Sequence, residues 1–332
     1  MKEIVFINRN AKQWQETENR INSENYTDPD ELTAMFLQLT DDLSYARTYY
    51  SGSETEEYLN KLAAKTHAFI YKTKKEKNNR FLIFWKYEFP LEIYRLRKFI
   101  VGSAVVFLFF GFIGALSASG DQDFVRLILG DGYVNMTIEN IEKGEPMAVY
   151  ESMDSGMMFF RIAYNNIQVA MLTFVLGMLS YFGTGGILLF NGIMLGSFQY
   201  FFYRYNVLYD SILSIWIHGT IEIFAIIVAG AAGLILGNSI MFPKTYSRKE
   251  SFRRGAKRGA KTILGLLPFI ILAAFLEGYI TRHTEWSDYI RFSIIGISLV
   301  LIIVYFIVYP IYLNKKLHTD IEFHEFYYNL FK

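Results

Sequence analysis

The stretch WIHGTIEIFAIIVAGAAGLILG, residues 216–237, decides the fold class. It is long and apolar enough to cross a hydrocarbon core of about 30 Å, which takes about 20 residues. Its first half nevertheless carries His218 and Glu222. These lie four residues apart, so in a helix both project from one face. A carboxylate near a bilayer centre costs about 2.5–3.5 kcal/mol, so Glu222 is expected to face protein and to have a partner there. The second half has a different design. Gly230, Gly233 and Gly237, with Ala229, Ala231 and Ala232, form a smooth strip that lets helix backbones approach closely.

Working outward, 52% of the 332 residues are hydrophobic, with 30 Phe and 24 Tyr. The apolar residues of the second two thirds gather into blocks of span length, which points to a membrane protein. The net charge of +1 hides a strong regional segregation of charge. The absence of cysteine excludes disulfides, thiolate metal sites and cysteine catalysis. The N-terminal run MKEIVFINRNAKQWQETENR has no long apolar core or cleavage site, so internal helices are expected to direct insertion.

The expected fold is all-α: a polytopic membrane protein with about six transmembrane helices and an N-terminal cytosolic helical bundle. Residues 1–79 form the bundle. A first amphipathic helix covers roughly 8–22. A second starts at Asp28-Pro29, with Asp28 as N-cap, and repeats Leu32, Met35, Phe36, Leu39, Leu43, Ala46 and Tyr50 at helical spacing. Ser51-Gly52-Ser53 breaks the pattern. A third helix, about 54–77, buries Leu59, Leu62, Ala63, Phe69 and Ile70. Residues 80–98, RFLIFWKYEFPLEIYRLRK, mix aromatic and basic side chains and read as an interfacial amphipathic helix bent near Pro90. The membrane domain, 99–332, has crossings at about 99–119, 164–182, 185–204, 212–237, 262–281 and 292–313. The second and third are joined at Gly183-Thr184-Gly185-Gly186, either as a full hairpin or as a re-entrant pair.

Orientation follows from the flanks. Arg95, Arg97 and Lys98 precede the first crossing, Lys315 and Lys316 follow the sixth, and the loop 238–261 carries eight basic residues against Glu250 within 244–261. The positive-inside rule puts these, and both termini, in the cytoplasm of an inner-membrane protein. Residues 120–163 hold eight Asp or Glu against Arg126, Lys143 and Arg161 and form an acidic extracytoplasmic segment, helical around 134–162. The expected partners are the lipid bilayer, anionic lipids at 244–261, proteins docking on the head and on the acidic segment, and further copies of the chain; nucleic acid is not expected.

Helix register suggests a partner for the buried groups. With about 1.5 Å of rise per residue, His218 lies roughly 9 Å and Glu222 roughly 15 Å below the outer boundary, and Glu277, on the antiparallel fifth crossing, roughly 6–8 Å below it. Asn165, Asn166 and Gln168 at the mouth of the second crossing and Asn191 on the third add amides to one polar cluster. Three readings stay open: structural cross-links between helices, a proton, ion or lipid-headgroup pathway, and metal-dependent chemistry. The HxxxE pair supplies two metal ligands, but no HExxH or third histidine accompanies it, so no metal or cofactor is expected. An outward-open wet pocket favours transport or chemistry, and a closed hydrogen-bonded knot favours structure. Gly192 and Gly196 in FNGIMLG add a second small-residue strip, and Gly219 is counted with these packing positions.

The run NNIQVAMLTFVLG (165–177), then GTGGILLFNGIMLG (183–196) and IHGTIEIFAIIVAGAAGLILG (217–237), resembles the stage II sporulation protein M family. The head, with LTDDLSYARTYY (39–50) and YLNKLAAKTHAFIY (58–71), resembles the longer, non-sporulation branch of that family. The sporulation member is a scaffold that recruits two peptidoglycan-degrading partners, the stage II sporulation proteins D and P. The resemblance therefore implies a non-enzymatic scaffold or assembly protein of the bacterial cell envelope. It also implies that Asn165, Asn166, Asn191, Gly192, His218, Gly219 and Glu222 matter, without giving them a reaction. The alternative is a transporter, channel or lipid-handling protein that uses His218, Glu222 and Glu277.

Overall fold

The computed structural model describes residues 1–22, 29–70, 80–151, 154–321, 323, 324 and 327. The expected N-cap Asp28 and the end of the third helix, 71–77, lie outside these. All regular elements among the described residues are helical, and the chain divides into two compact units, Met1–Asn78 and Asn79–Lys332.

The first unit packs α1 (Glu3–Asn22), α2 (Pro29–Tyr49) and α3 (Glu54–Ile70) around Phe6, Trp14, Leu39, Leu43, Ala46 and Leu59. Its first helix starts five residues earlier than the periodicity predicts, because Phe6 completes an aromatic cluster with Tyr45 and Tyr50. Trp14 Nε1 donates to the buried Asp42 carboxylate over 2.8 Å, tying α1 to α2.

In the second unit, five helical stretches are long and apolar enough to cross a membrane. These are α4 (Arg80–Gly120), Ser155–Arg204, α9 (Leu208–Met241), α10 (Arg248–Ile280) and α11 (Asp288–Thr319). Ser155–Arg204 is itself folded back, into α7 (Ser155–Val175) and α8 (Ser180–Arg204) around a 3-10 turn at Leu176–Leu179. Thr184 Oγ1 donates to the Thr173 carbonyl over 3.0 Å, whereas a continuous helix would hold residues eleven apart roughly 16 Å from each other. The reversal thus falls at 176–180, not at the expected 183–186. Ser180 takes the left-handed φ of 65° there, and the glycines at 183, 185 and 186 already belong to α8.

Helix α9 is the hub. In its most apolar window 72% of the residues are buried, against 17–39% for the other stretches. The small residues of the opening sequence explain why. A Cβ on Gly233 would stand 2.4 Å from the Thr173 carbonyl oxygen, one on Gly230 2.2 Å from Ser103 Oγ, and one on Gly237 2.9 Å from the Ser180 backbone. Gly192 and Gly196 on α8 likewise meet the α4 backbone, at the carbonyls of Phe107 and Gly111. Gly219 differs from these: its nearest neighbours are side chains of its own helix at 3.7 Å and beyond, so it is not a packing position.

Residues 80–98 are not a separate interfacial helix but the start of α4, with Phe89, Leu91, Ile93 and Leu96 buried in the membrane unit. Pro90 has no N–H to return to the preceding turn, and a π-turn at Phe84–Glu88 precedes it. The carbonyls left over are met from α11: Tyr305 Oη donates to the Trp85 carbonyl over 2.6 Å and Tyr309 Oη to that of Lys86 over 2.9 Å.

The expected helix at 134–162 is also divided. α5 (Gln122–Leu129) and α6 (Asp131–Glu142) cap one end of the unit, Gly144 turns the chain at φ 79°, and α7 begins at Ser155. At the other end the expected basic loop 238–261 shrinks to 242–247. From Ser247, whose Oγ caps α10, the basic run is helical. Arg258 pairs with the buried Glu92 over 2.6 Å and Lys261 pairs with Glu88, so these two cations face protein.

Candidate functional site: a buried imidazole and two carboxylates

Two helices bring three ionisable groups together at the capped end. His218 and Glu222 lie one turn apart on α9, and His218 is only 4% exposed. Glu277 comes from α10, within a π-turn at Leu276–Ile280. That turn sets the geometry, because the extra residue lets the Leu276 carbonyl accept from both the N–H and the hydroxyl of Thr281, at 2.8 and 3.1 Å. Having donated its proton, the Thr281 hydroxyl accepts from His218 Nδ1 at 2.9 Å. The imidazole therefore carries its proton on Nδ1 and turns Nε2 toward the carboxylates, 3.7 Å from Glu277 Oε2.

His218 and Glu277 pair at 3.7 Å, yet the groups also face open space. They line a cavity of about 390 Å³ whose other walls are apolar side chains of α4, α8 and α9 and residues of the cap. Tyr133 of α6 also lines it; burial, with Glu277 adding to the effect, pushes its hydroxyl up to about 12 and keeps it a proton donor. Among the described lining residues there is no Lys or Arg.

The amides divide. Asn191 lines the cavity while its Nδ2 donates to the Ile187 carbonyl over 2.9 Å. Asn166 neighbours the Glu222 carboxylate, and its buried Nδ2 completes no hydrogen bond of normal geometry. Asn165 and Gln168 are exposed, and Asn165 touches the cluster at its edge, where its Nδ2 donates to Asn166 Oδ1 over 3.3 Å. Gly219 lines the cavity beside His218, where a side chain would narrow it.

Three participants lie outside the sequence-predicted cluster. Tyr133 arrives from a cap helix that was read only as an acidic surface. Asp210 and Ser214 extend the α9 stripe by two turns, giving 210, 214, 218 and 222 at four-residue intervals. Both line a second cavity of about 320 Å³ at the capped end, with Arg291 and Thr284, and Ser214 Oγ is buried without a partner. The i, i+4 spacing was a legible cue for this stripe.

Fold and site together define a helical membrane protein with an imidazole–carboxylate cavity among its helices. The chain belongs to the stage II sporulation protein M family, whose profile matches residues 103–282, more than half of the sequence and all of α9 and α10, which carry His218, Glu222 and Glu277. Residues 4–72 match a separate domain family of unknown function. No curated protein and no solved structure matches the chain.

Proposed function

We propose that this protein handles a small cationic solute at the cavity between α8 and α9, into which α10 contributes Glu277, as a transporter of the bacterial inner membrane. The observation that carries the reading is that His218, Glu222 and Glu277 all line one cavity, with His218 Nε2 and Glu277 Oε2 3.7 Å apart across it. Two carboxylates, with no Lys or Arg among the described lining residues, select for positive charge. The stripe from Asp210 to Glu222 supplies a polar path from the capped end, which the charge distribution assigns to the outside. Both termini and the basic run at 244–261 then lie in the cytoplasm, with Lys244, Arg248, Lys249 and Lys257 facing anionic lipid.

The test is cation entry into liposomes holding the full chain, followed with dyes for H⁺, Na⁺ and divalent cations. The wild type is expected to admit one of these at a rate that Glu222→Gln lowers at least tenfold without changing the elution of the folded protein. Equal rates for wild type, variant and protein-free liposomes would overturn the reading.

A second reading, the non-enzymatic scaffold, draws support from the family resemblance and from the head, a compact unit with its own core and its own domain family. It expects a photo-crosslinker at the exposed Leu37 to give one discrete protein adduct in cells, and Glu222→Gln to leave that adduct intact. Absence of any adduct removes this reading.

A further inference from the structure

We propose that His218, Glu222 and Glu277 form a binding site for one divalent transition-metal cation. The inference rests on the cation-handling reading of the same cavity and names its ligand class.

Three independent features support it. The first is distance: a nitrogen of His218 and one oxygen from each glutamate all lie within 4.8 Å of one another. In a tetrahedral site with bonds of 2.0–2.1 Å the ligand atoms stand roughly 3.3 Å apart. His218 Nε2 and Glu277 Oε2, at 3.7 Å, are close to that already, and rotation of the glutamate side chains covers the rest.

The second is the tautomer. A metal-binding imidazole donates its other N–H to a fixed acceptor, which orients the ring and raises its basicity. Thr281 plays that part here, held in turn by the Leu276 carbonyl. The nitrogen presented to the carboxylates is thus the one with a lone pair.

The third is charge. Two carboxylates in a shared buried space repel, and the described lining offers no Lys or Arg to balance them. A dication with a neutral imidazole makes the set electroneutral, which removes the desolvation problem that Glu222 posed at the start. Tyr133 and the Asn166 amide stand beside the site as donors to water or anion in the open coordination positions.

The donor set, one nitrogen and two oxygens, suits Mn²⁺, Fe²⁺, Co²⁺ and Zn²⁺ over the soft Cu⁺ and over Mg²⁺, which retains its water. The sequence brings the three residues together by register, but not the π-turn at Leu276–Ile280 that aims the third ligand.

The test is equilibrium binding to the full chain, purified in detergent without a histidine tag, stripped with chelator and titrated with Co²⁺ and Zn²⁺. Expected are about one equivalent of metal per chain and visible Co²⁺ bands of a low-coordinate site, displaced by Zn²⁺. Glu277→Gln and His218→Ala should abolish both signals. Thr281→Val should weaken binding about tenfold or more while keeping the stoichiometry. His283→Ala, outside the cavity, should change nothing. A wild type that takes up no metal above the His283→Ala/His218→Ala/Glu277→Gln triple variant overturns the proposal, whatever becomes of individual variants. Metal bound without liposome flux would sink the transport reading and leave the site standing. Flux of H⁺ or Na⁺ without metal binding would do the reverse.

Discussion

At the scale of single residues, the glycines separate packing from lining. The Cβ of any residue at 196 would sit 1.8 Å from the Gly111 carbonyl oxygen, so α4 and α8 must move apart to accept it. Overpacking of this kind costs about 1–3 kcal/mol or more. Gly196→Ala is therefore expected to lower the thermal midpoint of the detergent-purified protein by several degrees. At Gly219 the nearest atoms are 3.7 Å away, so Gly219→Ala should melt with the wild type. Its added methyl projects beside His218, so its effect belongs in binding and flux. A melting shift at 219 equal to that at 196 would place Gly219 among the packing residues after all. Sequence periodicity could not draw this distinction, because both glycines sit on an apolar helix with small neighbours; only the identity of the facing backbone separates them.

At the scale of elements, two interrupted helices do most of the positioning. The π-turn before Pro90 leaves the Trp85 and Lys86 carbonyls to the hydroxyls of Tyr305 and Tyr309. Tyr305→Phe removes a donor from a part-buried carbonyl, which costs about 1–3 kcal/mol. In contrast, Pro90→Ala restores an N–H to this turn and should offset much of the loss from Tyr309→Phe. A double-mutant cycle in denaturant reads that coupling, and strict additivity would show that proline does not set the turn. The sequence announced Pro90 but not its consequence, since the rescuing tyrosines lie more than two hundred residues away. The same limit explains the α7–α8 reversal. Gly183-Thr184-Gly185-Gly186 looked like the loop, yet those residues form helix, and the turn falls on Leu176–Ser180, where Gly177 rests on Gly233. What was legible was each element's apolar period and the register that put His218 beside Glu277. Illegible were the π-turn that aims Glu277 and the folding of the cap that delivers Tyr133.

At the scale of the whole molecule, charge asymmetry gives the orientation a sharp test, because the chain has no cysteine and each introduced thiol is the sole reporter. The capped end carries Asp121, Asp123, Asp131, Glu139, Glu142 and Glu145, while the other end carries the α10 basic run. Translocating that run would mean moving several arginines and lysines across the bilayer, so the expected location is the cytoplasmic side. Exposed positions are available on each face: Ser51 in the head, Lys249 at the start of α10, Glu145 in the cap and Ser287 before α11. In intact spheroplasts a membrane-impermeant maleimide is expected to label Glu145→Cys and Ser287→Cys and to spare Ser51→Cys and Lys249→Cys until the membrane is opened. Because α7 and α8 fold back on each other, Glu145 and Ser287 share a face only if both arms traverse the bilayer or neither does. Tyr205→Cys, beyond the end of α8, separates these cases when paired with Tyr181→Cys near the reversal. Labelling of 205 from outside and 181 from inside makes the pair a full hairpin. Labelling of both from outside makes it re-entrant and leaves α9 with access to water at a depth the polar stripe would then share.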